Sequence, residues 1–237
     1  MKNFKDFFKN GGNGLNIGVI SDVHANLIAL EKVLERLENC DLIISAGDVV
    51  GYYPYPNEVI EVFKKERIES VIGNHDAAVV FNDYSDMNEI AKIAGIYTRK
   101  IIKKENLEWL SKLPLSLKRN NFEVYHGIPA NNELAYTVYL FPDDPLIEIL
   151  LETSNKSIIV GHTHVSFLKK KNNKFFLNPG SVGQPRDGNP KASFAIFYTE
   201  KNEVKIKRTS YNIDEVYEAV IRHGLPEFLG LRLFRGF

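Results

Sequence analysis

The chain has almost nothing with which to staple or anchor itself. Among 237 residues there is one cysteine, Cys40, so an intrachain disulfide framework is excluded. Its place just ahead of an apolar run marks it as a small buried hydrophobe rather than a reactive thiol. No apolar run approaches the roughly 20 residues of a membrane span. Net charge is missing too: 30 Lys and Arg balance 30 Asp and Glu, so no global field draws nucleic acid or an anionic membrane to the chain. A local basic patch is compatible with that balance. There is no linker rich in Gly, Pro or Ser, no internal repeat and no low-complexity tract. Lys2, Lys5 and Lys9 interrupt Phe4, Phe7 and Phe8, so no secretory h-region forms. A cytoplasmic protein with no membrane or nucleic-acid partner is the expectation.

What is present reads as an α/β protein. The length allows one large domain or two small ones, with a substantial core. Residues 1–14 look appended, ending in Gly11-Gly12-Asn13-Gly14. From Asn16 a βαβ rhythm begins: strands at 17–20, 42–45 and 70–72 alternate with helices at 26–39 and 57–66. Helices at 87–104 and 105–113 follow. Then the period shifts to strands at 115–118, 122–125, 157–160, 165–169, 174–177, 193–198 and 203–208, interrupted by a helix at 145–151. Asn172-Asn173 and Lys201-Asn202 read as hairpin turns. Two mixed sheets sandwiched between helices give a single four-layer α/β/β/α domain over residues 1–237.

Chemistry concentrates in five short clusters. Five of the six histidines fall in Asp22-Val23-His24, Gly73-Asn74-His75-Asp76, His126-Gly127 and Gly161-His162-Thr163-His164, and Gly47-Asp48 lies among them. Each cluster follows a short apolar run, so the clusters are expected on one rim of a sheet, where α/β proteins place their sites. Carboxylate, carboxamide and imidazole donors together suit Mn, Fe, Co, Ni or Zn. Asp22 and His24, two residues apart, share a face if extended and can also converge at a turn. Asp48 carries two oxygens, one for each of two metals. Asn74 adds an amide oxygen, His126 and His162 add imidazoles, and His164 can return to the first metal. A shared carboxylate holds two ions roughly 3.5–4 Å apart, the spacing of two-metal hydrolytic sites. Singly the pieces are weak, since a lone histidine at a strand end is usually structural. Five in order point to metal. His223, in a charged helix next to Gly224, is read as a surface or helix-end residue.

In this order and spacing, Asp22-x-His24, Gly47-Asp48, Gly73-Asn74-His75-Asp76, His126 and Gly161-His162-x-His164 resemble the calcineurin-like metallophosphoesterases, from residue 16 to about 211. Residues 21–26 (Ser-Asp-Val-His-Ala-Asn) and 178–186 (Asn-Pro-Gly-Ser-Val-Gly-Gln-Pro-Arg) are similar to the small prokaryotic phosphodiesterase-type branch. That branch commonly has Gly where this chain has Ala25. The resemblance implies two divalent ions, manganese first among the candidates, with iron, nickel, cobalt or zinc as alternatives. One ion would be held by Asp22, His24, Asp48 and His164, the other by Asp48, Asn74, His126 and His162. It further implies hydrolysis of a small phosphoester, possible nucleotides included, by a metal-bridging hydroxide, with His75 as catalytic acid and not a ligand.

Absences narrow the class. Protein phosphatases of the superfamily read Gly-Asp-x-x-Asp-Arg-Gly, and this chain has Gly51-Tyr52 where the second Asp and the Arg would fall. The symmetric dinucleotide tetraphosphatases resemble that same pattern. The DNA-repair nucleases carry added capping domains and basic surfaces that this chain lacks. Two residues are candidates for substrate rather than metal. Tyr52, in Gly51-Tyr52-Tyr53-Pro54-Tyr55-Pro56, either stacks on an organic group or only packs. Arg186 either forks onto a phosphate or makes a surface salt bridge. Asn26 is read as a helix cap, and the apolar segment of Leu225, Phe228, Leu229, Leu231, Leu233 and Phe234 as packing on the sandwich. The competing function is a non-catalytic scaffold on this fold. With every ligand position filled and His75 present, the enzyme is the stronger reading.

Overall fold

Backbone alternation builds the sheets, and the computed structural model describes them over residues 14–237. The appended segment with Phe4, Phe7 and Phe8 falls almost wholly outside these described residues. Strands β1 (Asn16–Ile20), β2 (Leu42–Ser45) and β3 (Glu69–Ser70) run parallel, connected by helices α1 (Leu27–Leu37) and α2 (Pro56–Lys65). Helices α3 (Asn74–Phe81), α4 (Glu89–Ile101) and α5 (Lys104–Leu110) follow. The second sheet takes β4 (Leu117–Lys118), β5 (Phe122–Val124), β6 (Ser157–Ile159), β7 (Phe167–Lys171) and β8 (Lys174–Asn178), with α6 (Leu134–Thr137) and α7 (Leu146–Thr153) inserted after β5. Its order is β4-β5-β6-β8-β7. β9 (Ala192–Tyr198) and β10 (Glu203–Thr209) then return antiparallel to the first sheet, giving β10-β9-β1-β2-β3. The chain closes with α8 (Ile213–Arg222) and α9 (Phe228–Leu231).

Period-two burial sorts the core into layers. Ile17, Val19, Ala195 and Phe197 face Phe175, Leu177, Val124 and Ile159 between the sheets. The alternate residues Ile20, Phe194 and Ile196 pack under Leu30, Val33, Leu37 and Phe63 of the covering helices. On the far side Ile158 and Phe176 pack against Ile147 and Leu151 of α7. Each such fully buried side chain contributes about 1.5–3 kcal/mol. The result is the expected four-layer α/β/β/α sandwich with mixed sheets.

Asn26 does cap α1, its Oδ1 accepting from Ala29 N at 3.1 Å. Asn172, Asn173 and Asn202 have positive φ in the two hairpin turns, as tight β-turns require. Helix α3 was not expected. It begins inside the Gly73-Asn74-His75-Asp76 cluster, where Asp76 accepts from the Gly73 N–H, the half of a capping box that a glycine N-cap allows. One rim of one sheet is also corrected: the clusters follow β1, β2 and β3 of the first sheet and β5 and β6 of the second. Of the terminal apolar segment, Leu225, Leu229 and Leu233 are buried with Tyr53 and Val220, while Phe228, Leu231 and Phe234 stay exposed. Cys40 is half-buried, and burial, with help from the Asp41 charge, pushes its thiol up to about 11. Among the described residues no helix is long and apolar enough to cross a membrane.

Candidate metal centre

The turns that carry the clusters are strained in a consistent way. Asp22, His24, Asp48, His162 and His164 all have φ between +51° and +69°, a conformation costing an L-residue roughly 1–2 kcal/mol. Ala25, where the related branch has Gly, shares it with φ of 61°. The loops hold one another in place: Asp22 N donates to Gly47 O, His24 N to Asp48 O, Gly183 N to Asp22 O, and Gly161 N to His126 O. Strain of this kind persists only where surrounding bonds over-determine it.

The side chains converge in two groups that share one carboxylate. Donor atoms of Asp22, His24, Asp48 and His164 lie within 4.8 Å of one another, and so do those of Asp48, His126 and His162. Asn74 Oδ1 lies 3.2 Å from His126 Nε2. All six of the charged or imidazole residues are buried. Asp48 Oδ1 accepts from His75 N at 2.9 Å, a contact possible because Gly73 has no Cβ; one there would fall 2.0 Å from that oxygen. Among the described residues Asp48 Oδ2 has no hydrogen-bond partner, although His126 Nε2 is 3.3 Å away and His24 Nε2 3.5 Å.

These atoms fit a cation better than they fit each other. His126 Nδ1 donates to Ala46 O at 2.7 Å and His164 Nδ1 to Gln184 O at 2.6 Å, which leaves an Nε2 lone pair on each neutral ring facing inward. His162 Nε2 is 3.3 Å from Thr137 O, which leaves Nδ1. His24 Nε2 and His164 Nε2 sit 3.0 Å apart. Lone pairs and a carboxylate oxygen facing one another in a buried space call for positive charge. In the metal-free protein a proton supplies part of it. Burial opposes a charged His126, but Asp48, Asp22 and the Ala46 carbonyl together outweigh burial and raise it to about 9. Burial likewise opposes ionisation of Asp48, yet His126, His75 and His24 hold its carboxyl far below the usual range. Burial pushes His24 and His164 well below the ordinary histidine value, and His162 to about 3, so their rings are neutral, the form in which an imidazole can bind a cation.

His75 stands beside this centre and outside both ligand groups. Its ring packs 4.7 Å from that of His24 and 4.5 Å from that of Tyr52, and its Nδ1 is buried without a partner. Burial lowers it to about 4 against the pull of Asp48; a bound anion would act in the same direction as Asp48. Among the described residues no hydrogen bond joins the Asp76 carboxyl to the His75 ring. Instead Asp76 accepts from the backbone N–H groups of Val49, Val50 and Gly73, tying the Asp48 loop to the start of α3. Tyr52 both packs and faces the centre: it is only 4% exposed, and its hydroxyl accepts from Arg186 Nη2 at 3.1 Å. Arg186 is no surface salt bridge. Gln184 Oε1 accepts from its Nε and Nη2, and among the described residues no carboxylate pairs with it. The sequence reading missed Gln184 and Tyr139, whose ring stacks on His162 at 3.6 Å between centroids. Gln184 stands within the 178–186 stretch without a role of its own there, and no motif announces Tyr139. Asp76 could have been recognised from its place three residues after Gly73. His223 is exposed at the end of α8, its Nδ1 2.8 Å from Tyr97 Oη, in line with expectation.

Known proteins show which family the chain falls in. Residues 15–202 match the calcineurin-like phosphoesterase superfamily domain. The protein MJ0912 of Methanocaldococcus jannaschii is 38% identical over 242 residues, covering 93% of this chain and 98% of its own. Phosphodiesterase YfcE of Escherichia coli K12 is 26% identical over 181 residues, covering 74% and 83%. The crystal structure of a metallophosphoesterase from Sphaerobacter thermophilus superposes with a TM-score of 0.84 at 34% identity, covering 95% of this chain and 100% of that one. The chain therefore belongs to the calcineurin-like phosphoesterase superfamily, and with it to the metal-dependent phosphoric ester hydrolases.

Proposed function

We propose that the chain is a two-metal phosphodiesterase or phosphatase for a small phosphoester, nucleotides being among the candidates, built as one domain. The observation that carries this reading is Asp48, common to both groups of converging ligands. Asp22, His24, Asp48 and His164 would hold one ion, and Asp48, Asn74, His126 and His162 the other. The mixed carboxylate, amide and imidazole set suits manganese, with iron, nickel, cobalt or zinc as alternatives. When bound, such a pair activates water at neutral pH and stabilises charge on a phosphoryl group.

The remaining residues bind and move protons. Arg186, held by Gln184 and Tyr52, presents a guanidinium with no carboxylate partner to the phosphate. Tyr52 keeps that guanidinium in place and walls the side of the centre where His75 lies. His75 protonates the departing oxygen, an effect of typically ~10²–10⁴ in rate. A scaffold that had lost its chemistry would lack ligands, and here all seven positions are occupied by donor residues.

Metal content tests the reading. Reconstituted wild-type protein should hold two ions per chain and hydrolyse bis(p-nitrophenyl) phosphate. Asp48→Asn should weaken both ions, whereas Asp22→Asn should weaken mainly one. Elemental analysis that stays at one ion per chain in active enzyme refutes it.

A further inference from the structure

We propose that a cleft beside Asn74 and His162 is a subsite for a second organic substituent on phosphorus, one that is uncharged or cationic and has a flat face. This inference rests on the phosphoesterase reading above. The cleft measures about 480 Å³ and is lined by Asn74 and His162 themselves, so it opens directly onto the candidate metal centre. That volume lies within the ~300–1,000 Å³ typical of small-molecule sites and is far more than a phosphoryl group fills. His75, Tyr52 and Arg186 are not among its lining residues. The departing oxygen and the oxygens gripped by Arg186 are thus served elsewhere around the centre. What the cleft receives is the remaining substituent, which a diester has and a monoester lacks.

Its walls define the chemistry of that group. Tyr139 is locked against the candidate ligand His162 by stacking, yet is 47% exposed, and it continues toward the parallel ring of Phe141. Phe81, 69% exposed, lines the same cleft together with Tyr136. An exposed ring held in place by its other face, as Tyr139 is by His162, is a ready platform for a planar group. Among the described residues the charged lining groups are Asp83, Asp86 and Glu133, and no Lys or Arg lines the cleft. None of the three acids takes part in an ion pair among the described residues. They accept hydrogen bonds from hydroxyl or amino groups and repel a further phosphate. The cleft therefore suits a nucleoside-like substituent and excludes a polyphosphate chain.

Two esters that differ by one phosphate provide the test: the p-nitrophenyl ester of thymidine 5′-monophosphate and its 3′-phosphorylated counterpart. In both, water adds across the P–O(aryl) bond, p-nitrophenol leaves and the nucleotide keeps the phosphoryl group. The metal-loaded enzyme should show kcat/KM at least about tenfold higher for the ester without the 3′-phosphate. The exposed triple variant Asp83→Asn, Asp86→Asn, Glu133→Gln should shrink that ratio severalfold. Tyr139→Ala should raise KM for the thymidine ester severalfold at full metal content, and Tyr139→Phe should restore it. Failure to hydrolyse even bis(p-nitrophenyl) phosphate overturns the phosphoesterase reading and the subsite with it. If that activity is present, equal kcat/KM for the two thymidine esters, a ratio untouched by the triple variant, or an unchanged KM in Tyr139→Ala overturns the subsite alone.

Discussion

Asp76 is the residue whose replacement says most about how the centre is built, because it touches no proposed ligand side chain yet holds the loop that carries one. Its Oδ2 accepts from Val49 N at 3.2 Å and Gly73 N at 3.0 Å, and its Oδ1 from Val50 N at 3.0 Å, all in a fully buried setting. Burial and the charge of Asp48 push its carboxyl up to about 7, against three N–H donors that favour the ionised form. Asp76→Asn keeps one acceptor oxygen, which can retain the two bonds of Oδ2 but turns an NH₂ toward Val50 N–H. One buried donor is orphaned, at about 1–3 kcal/mol. Asp76→Ala orphans three, so at least about 3 kcal/mol is expected. Urea unfolding measures both, and metal titration should show weaker binding in Asp76→Asn because the Asp48 loop loosens. An Asp76→Ala protein within about 1 kcal/mol of wild type, with unchanged metal affinity, would refute the reasoning.

Other predictions use different parts of the fold. Gly51 has φ of +139°, and a Cβ there would lie 2.8 Å from His24 Nδ1 and 2.9 Å from His75 Nδ1. Gly51→Ala should cost about 1–3 kcal/mol in backbone strain and most of the activity. Gly224→Ala, also at positive φ but with open space around it, should cost stability and spare turnover; equal activity loss in both would remove the steric argument. His75→Asn should keep both ions yet lose about 10²–10⁴ in rate on an alkyl phosphoester. The loss should be smaller on p-nitrophenyl esters, whose leaving group needs little protonation, and loss of metal would make His75 a ligand instead. Burial works against ionisation of Asp187, but Arg208 together with the Ser166 donors outweighs it and depresses its carboxyl. A depressed folded value contributes stability above the ordinary carboxylate range, and this is lost as pH falls through the folded value. Thermal melts from pH 6 to about 3 should therefore fall less steeply for Asp187→Asn than for wild type; parallel curves count against the ion pair.

Local patterns in the chain carried the layers and marked the candidate donors. Apolar runs of period two and stripes of period 3.6 are local signals, so β1, β2, α1 and α2 were legible to within a few residues. Asp22, His24, Asp48, Asn74, His126, His162 and His164 stood out as candidates because each ends or follows an apolar run. Helix α3 was not, since its capping residues Gly73 and Asp76 coincide with the ligand cluster and its eight residues carry little amphipathic pattern. Tertiary structure alone decided that the clusters come from two sheets, which lie face to face rather than forming one rim. It also decided that Asp76 serves the backbone and not His75, that Gln184 and Tyr52 hold Arg186, and that Tyr139 stacks on His162. Those contacts join residues from 2 to 134 positions apart along the chain. Such partners share no local periodicity, and their meeting depends on how the strands and turns pack in space.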